Sequence, residues 1–342
     1  MIWLYLGFLS FIGLLLALDL GVFHRHAHVV RAKEALSWSA VWISLGLAFS
    51  IFVYFGYDQG WFGLGTKADA MSVPVERADG TLVYNDGTSA MVKYLTGFVV
   101  EKSLAVDNIF VIAMLFGILA VPAQFQHRVL FWGILGALVL RGVMIFAGAA
   151  LVARFNWILY LFGGFLVLTG IKMLMTSDEE GDPSQSRIFR AMRKIIPVSD
   201  SYDGPRFFTR AAATGARIAT PLFLALVLVE LTDVIFAVDS IPAIFAITTD
   251  PFLVFTSNIF AILGLRSLYF ALANLIDSLR YLKLALSLVL VVIGVKMLTH
   301  TYLKAWLGDS FNFYALGVVG GILATGVIAS LVARKREVAV TS

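Results

Sequence analysis

The sequence predicts an all-α, polytopic membrane protein of about nine transmembrane helices with a 3+3 inverted-repeat core. Three observations carry that expectation. Of 342 residues, 60% are hydrophobic and only 14% charged, with a mean hydropathy of +0.88. A soluble domain would carry about a quarter charged residues. The apolar residues fall into runs long enough to cross a bilayer, and a set of landmarks recurs in order in two halves of the chain.

A span needs roughly 20 apolar residues, and the runs that qualify are 2–22, 38–57, 91–118, 128–151, 156–175, 219–247, 251–275, 281–299 and 312–333. Met1 to Leu18 has no basic n-region and no small-residue cleavage site, so it reads as a retained first span. The link 58–90 is polar, Gly-rich and slightly acidic and reads as a solvent loop. Loop 176–218 is basic. Within it Ser186 to Ile196 has helical spacing and a basic face, which fits an interfacial helix or a solvated connector. Tyr and Trp near span ends (Trp3, Tyr5, Tyr54, Tyr57, Trp61, Tyr94, Trp157, Tyr160) fit interfacial belts, and the Gly163-Gly164 and Gly320-Gly321 pairs fit close helix packing. Placing the basic links inside puts the N-terminus in the periplasm and the C-terminus in the cytoplasm.

The repeat rests on three matches. Asp107-Asn-Ile-Phe110 recurs as Asp233-Val-Ile-Phe236, 126 residues on. Leu140-Arg141 recurs as Leu265-Arg266 at an offset of 125, and Gly170-Ile-Lys172-Met-Leu as Gly294-Val-Lys296-Met-Leu at 124. Each copy holds an odd number of spans, so the second must cross the other way up. The expected division is 1–90 for two N-terminal spans and a periplasmic loop, 91–175 and 219–299 for the copies, 176–218 for the basic loop between them, and 300–342 for a last span and tail.

Composition also excludes. The net charge of +4 resides mostly in short loops, where the positive-inside rule accounts for it without nucleic acid. The absence of cysteine removes disulfides, thiol redox chemistry and thiolate-bound metals or clusters. No P-loop, Gly-x-Ser-x-Gly or His-Glu-x-x-His motif points to an enzyme, and no cofactor site is evident.

What remains is charge at depth. At about 1.5 Å per residue, Glu101, Asp107, Glu230 and Asp233 all lie within roughly 6 Å of the midplane of their spans. Acids there turn inward and mark ion or proton paths. Glu230 and Asp233 share a helix face, as do Glu101 and Asn108, whereas Asp107 is turned about 120° from Glu101. Asp239 precedes Ser240-Ile-Pro242, where the proline frees the carbonyl of Val238 as a further oxygen. Oxygen ligands alone suit a hard divalent cation. Arg141 and Arg266, also mid-span, should pair with carboxylates. Asp19 near the mouth of the first span is a gating or ligand candidate, and the His24, His26, His28 group is either a metal site or solvated. Static ion pairing between helices is the alternative reading of all these charges.

At Glu101-Lys-Ser-Leu-Ala-Val-Asp107-Asn-Ile-Phe, at Val229 to Phe245, and through Thr256-Ser-Asn-Ile-Phe-Ala-Ile-Leu-Gly-Leu-Arg266, the chain resembles the TerC family of bacterial inner-membrane proteins, and most its Alx branch. The resemblance covers roughly residues 12–335. It implies manganese homeostasis by Mn²⁺ export, with Mn²⁺ as transported substrate, and carries the family's acidic residues onto Glu101, Asp107, Glu230, Asp233 and Asp239. The family is also associated with tellurium resistance and redox modulation. A transporter of another hard cation, or a non-transporting membrane factor for stress or protein assembly, stays open beside it. The partners expected are a small inorganic cation and the lipid bilayer.

Overall fold

The apolar runs fold as helices, because in hydrocarbon a helix satisfies nearly all its backbone N–H and C=O groups within one segment. The computed structural model describes residues 2–18, 32–78, 80–175, 197–199, 201–210, 215–272, 281–300, 302 and 311–341. The helices are α1 (Ile2–Leu18), α2 (Ala32–Asp58), α3 (Gly87–Ile118), α4 (Ala123–Arg154), α5 (Ile158–Met175), α6 (Pro221–Phe245), α7 (Pro251–Ile262), α8 (Leu265–Leu272), α9 (Leu282–Leu298) and α10 (Phe311–Thr341). Their starts follow from local chemistry. Asp86 caps α3 by accepting from Ser89 N at 2.7 Å, Asp250 caps α7 from Phe252 N at 3.0 Å, and proline opens α6 and α7 where no N–H is needed.

The expected count of nine spans is not established. By length and composition α2, α4, α5, α6 and α10 suffice to cross a membrane, and the pair α7–α8, bent by 40° at its break, makes a sixth. The bend falls at Gly264, whose φ of +78° favours glycine. Helices α1 and α9 are apolar but have 17 residues each. Helix α3 has 32 residues and carries Lys93, Glu101, Lys102 and Asp107 along its length.

Packing between the two copies is reciprocal. Helix α3 lies along α7, and α4 lies along α6, so the first span of each copy meets the second span of the other. The third spans, α5 and α9, make the most extensive contact. A Cβ on Gly170 would fall 2.9 Å from Ser287 O and 3.0 Å from Val291 N. One on Gly294 would fall 2.8 Å from Gly163 O and 2.9 Å from Val167 N. The 124-residue offset of the sequence carries 163, 167 and 170 onto 287, 291 and 294. Residue i meeting j, and j meeting i, is the signature of a two-fold relation.

Other expectations need correction. Gly163 does sit at the α5–α9 crossing, but a Cβ on Gly164, Gly320 or Gly321 would meet no atom of another described residue within 4 Å. Trp3 and Trp157 are exposed as belt residues should be, yet Tyr57 and Tyr94 are fully buried. Their hydroxyls donate to Asp250 Oδ2 and Gly46 O, each at 2.9 Å. Link 58–90 is not a plain solvent loop. It contains a two-stranded ribbon, β1 (Val75–Glu76) with β2 (Leu82–Val83), and buries Asp69, Ser72 and Asn85 against the α6–α7 turn. The connection before α6 forms a second ribbon, β3 (Phe208–Arg210) with β4 (Arg217–Ala219). The stretch Ser186 to Ile196 lies outside the described residues.

Candidate functional site

At 100° per residue, Lys93, Gly97, Glu101 and Asn108 fall on one face of α3. That face meets α7, α6 and α4. Helix α6 presents Asp233, and α4 brings Arg141 between them. All are buried: Glu101 at 1% exposure, Asn108 at 2%, Arg141 at 3% and Asp233 at 5%.

Arg141 holds the cluster together. Its Nε donates to Asp233 Oδ2 at 3.0 Å and its Nη2 to Oδ1 at 2.8 Å, a bidentate fork. Its Nη1 forms an ion pair with Glu101 Oε1 and reaches Ser240 Oγ at 3.5 Å. Ser240 in turn donates to Glu101 Oε1 at 3.3 Å, and Asn108 Nδ2 to Asp233 Oδ1 at 3.0 Å. One guanidinium faces two carboxylates, leaving one negative charge over.

Among the described residues, Glu101 Oε2, Asn108 Oδ1 and Glu230 Oε2 are buried with no hydrogen-bond donor. Glu230 lies one turn before Asp233 on α6, and its carboxylate occupies the space that a Cβ on Gly136 of α4 would fill. Buried polar atoms are rarely left unmatched without a reason.

The six candidate ligand residues are thereby divided. Glu101, Asn108 and Asp233 gather on Arg141, with Glu230 a turn away. Asp107 is half-buried and rotated from the Glu101–Asn108 face. Asp239 is half-buried six residues past Asp233, with Lys172 of α5 as its electrostatic partner. Among the described residues no three His, Asp or Glu side chains are grouped to hold a metal ion. Arg141 pairs with both Glu101 and Asp233. Helix α6 runs through Pro242 unbroken, and Val238 is 48% exposed, on the outer side. Arg266 is buried, with its Nη1 3.1 Å from His127 Nε2 on α4. Asp19 and the His24, His26, His28 group lie outside the described residues.

Two features escaped the sequence. Lys102 donates from Nζ to Ala261 O at 2.9 Å and Leu263 O at 3.0 Å, closing the C-terminal end of α7 at the break. A lysine beside a glutamate in one helix gives no hint of that reach. The other feature is the Asp69 network. Asp69 accepts from Lys93 Nζ at 2.9 Å, Thr248 Oγ1 at 2.6 Å, Thr249 N at 2.9 Å and Asn85 Nδ2 at 3.0 Å. Burial opposes its ionisation, but Lys93 and these donors hold its carboxyl well below the usual range. Nearby Asp250 is raised, by burial and then by the Asp69 charge. Lys93 within an apolar run was the available signal, since such a lysine needs an acid.

The sequence profile described as the integral membrane protein TerC family matches residues 86–338, which span every residue of the Arg141 cluster. An uncharacterised membrane protein of Myxococcus xanthus is 47% identical over 329 residues, covering 96% of this chain and 92% of that one. A protein of Escherichia coli K12 named as a membrane-bound redox modulator, Alx, is 45% identical over 318 residues, covering 93% and 90%. An uncharacterised membrane protein of Rickettsia bellii is 36% identical over 325 residues, covering 95% and 96%. No solved structure matches. With a family profile across most of its length and relatives this similar end to end, the chain belongs to the TerC family of integral membrane proteins.

Proposed function

We propose that this protein carries a divalent cation across the bacterial inner membrane, with Mn²⁺ the substrate and export the direction. The observation that carries the reading is the set of acceptor oxygens on Glu101, Asn108 and Glu230, buried and unmatched beside the Arg141–Asp233 pair. Acceptors without donors are what a desolvated cation needs. Alternating access supplies the cycle. Arg141 pairs with Asp233 and with one oxygen of Glu101. An arriving dication competes for those oxygens, and Arg141 yields them. The choice of Mn²⁺ and of export rests on the family resemblance.

Selectivity follows from ligand chemistry. If substrate binding draws these carboxylate and amide oxygens into a small cage, it disfavours Ca²⁺, which takes six to eight ligands at longer distances, and Mg²⁺, which releases water reluctantly. The redox reading attached to the names of some relatives has no thiol here to act through. Calorimetry on the purified chain tests the site. Mn²⁺ should bind in a form that excess Mg²⁺ displaces poorly, and Glu230→Gln with Asp233→Asn should eliminate it. Equal displacement by Mg²⁺, or undiminished affinity in the double variant, would place the cation elsewhere.

A further inference from the structure

Helix α7 holds a buried polar side chain outside the hydrogen bonds of the Arg141 cluster. Asn258 lies midway along α7 with no exposed surface, and neither its Oδ1 nor its Nδ2 has a hydrogen-bond partner among the described residues. Its neighbours are satisfied within their own helix: Thr256 Oγ1 donates to Phe252 O at 2.7 Å and Ser257 Oγ to Val254 O at 3.2 Å. An amide has two donors and a two-lone-pair acceptor, so forgoing all of them is costly. A leucine has the same branching, in a somewhat larger side chain, without that cost.

The register of the two helices places Asn258. A Cβ on Gly97 would meet Ser257 Oγ at 3.0 Å, and Lys102 Nζ reaches Ala261 O at 2.9 Å. Residues 257–261 therefore run beside 97–102, which sets Asn258 within about one turn, ~5.4 Å along the axis, of the level of Glu101. On the same α3 face, Lys93 lies one turn beyond Gly97 and joins the Asp69 network. Along the helix axis Asn258 thus stands between that network and the Arg141 cluster.

We propose that Asn258 is a further ligand of the transported cation, its Oδ1 supplying a neutral oxygen from α7 opposite the charged oxygens of α3 and α6. This rests on the cation-transport reading above. Amide carbonyls are ordinary ligands of hard divalent cations. A neutral ligand on the path between two charged clusters replaces a water of the ion without trapping it.

The test compares Mn²⁺ binding by the full-length wild type with Asn258→Leu, Asn258→Ala and Asn258→Asp. Removing two unmatched polar atoms should leave the cation-free melting temperature of Asn258→Leu equal to wild type or higher. Mn²⁺ affinity should nonetheless fall at least tenfold in the Leu and Ala variants and be retained in Asn258→Asp, which keeps the oxygen. Wild-type affinity in folded Leu or Ala variants would overturn the assignment while leaving the transport reading intact. An equal loss in Asn258→Asp would overturn it too, since the oxygen would not be what matters. No Mn²⁺ binding by the wild type would remove both readings together.

Discussion

Arg141 of α4 grips Asp233 of α6 through two near-parallel hydrogen bonds, 3.0 Å from Nε and 2.8 Å from Nη2. The two residues belong to opposite copies of the repeat, so the fork ties the copies together where the chain buries its charge. The same guanidinium pairs with Glu101 of the first copy. A transporter needs such a tie to be both strong and exchangeable, and a charge pair meets both needs when a cation can replace one partner.

Arg141→Gln should cost on the order of 3–5 kcal/mol, because it strands Asp233 and Glu101 as buried, uncompensated carboxylates. A thermal melt of the detergent-solubilised variant should show a marked fall against wild type. Unchanged melting would mean that the two acids are protonated or hydrated without it.

The α5–α9 crossing gives a prediction independent of charge. Gly170→Ala and Gly294→Ala each place a methyl within 3.0 Å of backbone atoms of the facing helix. Backbone cannot step aside as a side chain can, so each should destabilise by about 1–3 kcal/mol, and by similar amounts because the contacts are related. Melting temperatures check it. A large cost at one glycine and none at the other would show that the crossing is not symmetric.

These glycines also show what the sequence made legible. The offset of 124 between Gly170 and Gly294 was visible in the residues alone, and the structure shows two contacts at that offset that correspond atom for atom. Helix positions were legible for the same reason, since a bilayer imposes length and apolarity together. The cluster was legible in part. Glu101 and Asn108 share a face by their seven-residue spacing, and a mid-span arginine calls for carboxylates. Which carboxylates it takes depends on how α4 lies against α6, which no local pattern encodes. The Asp69 network was hidden more deeply. Link 58–90 has the composition of a solvated loop, and only its contact with the α6–α7 turn, about 180 residues away in sequence, reveals that Asp69 is buried.

Asp69 leads to a prediction in pH. Its folded carboxyl ionises more readily than in the unfolded chain, so it contributes stability above the unfolded value of about 4. That contribution drains away as pH falls from there toward the lower folded value. Asp69→Asn should destabilise at neutral pH, on the order of 3–5 kcal/mol, by leaving Lys93 buried without its acid. The gap between wild type and variant should narrow below pH about 4. A gap that is constant with pH would show that Asp69 is not ionised in the fold.

The account stands or falls on transport itself. Purified protein in sealed proteoliposomes should move Mn²⁺ across the bilayer, and Asp233→Asn and Glu101→Gln, which keep side-chain size but remove an anionic oxygen, should each abolish the flux while still inserting. Mn²⁺ flux in both variants equal to wild type, or none in the wild type under either orientation of the gradient, would contradict it and leave the buried charges as static pairs.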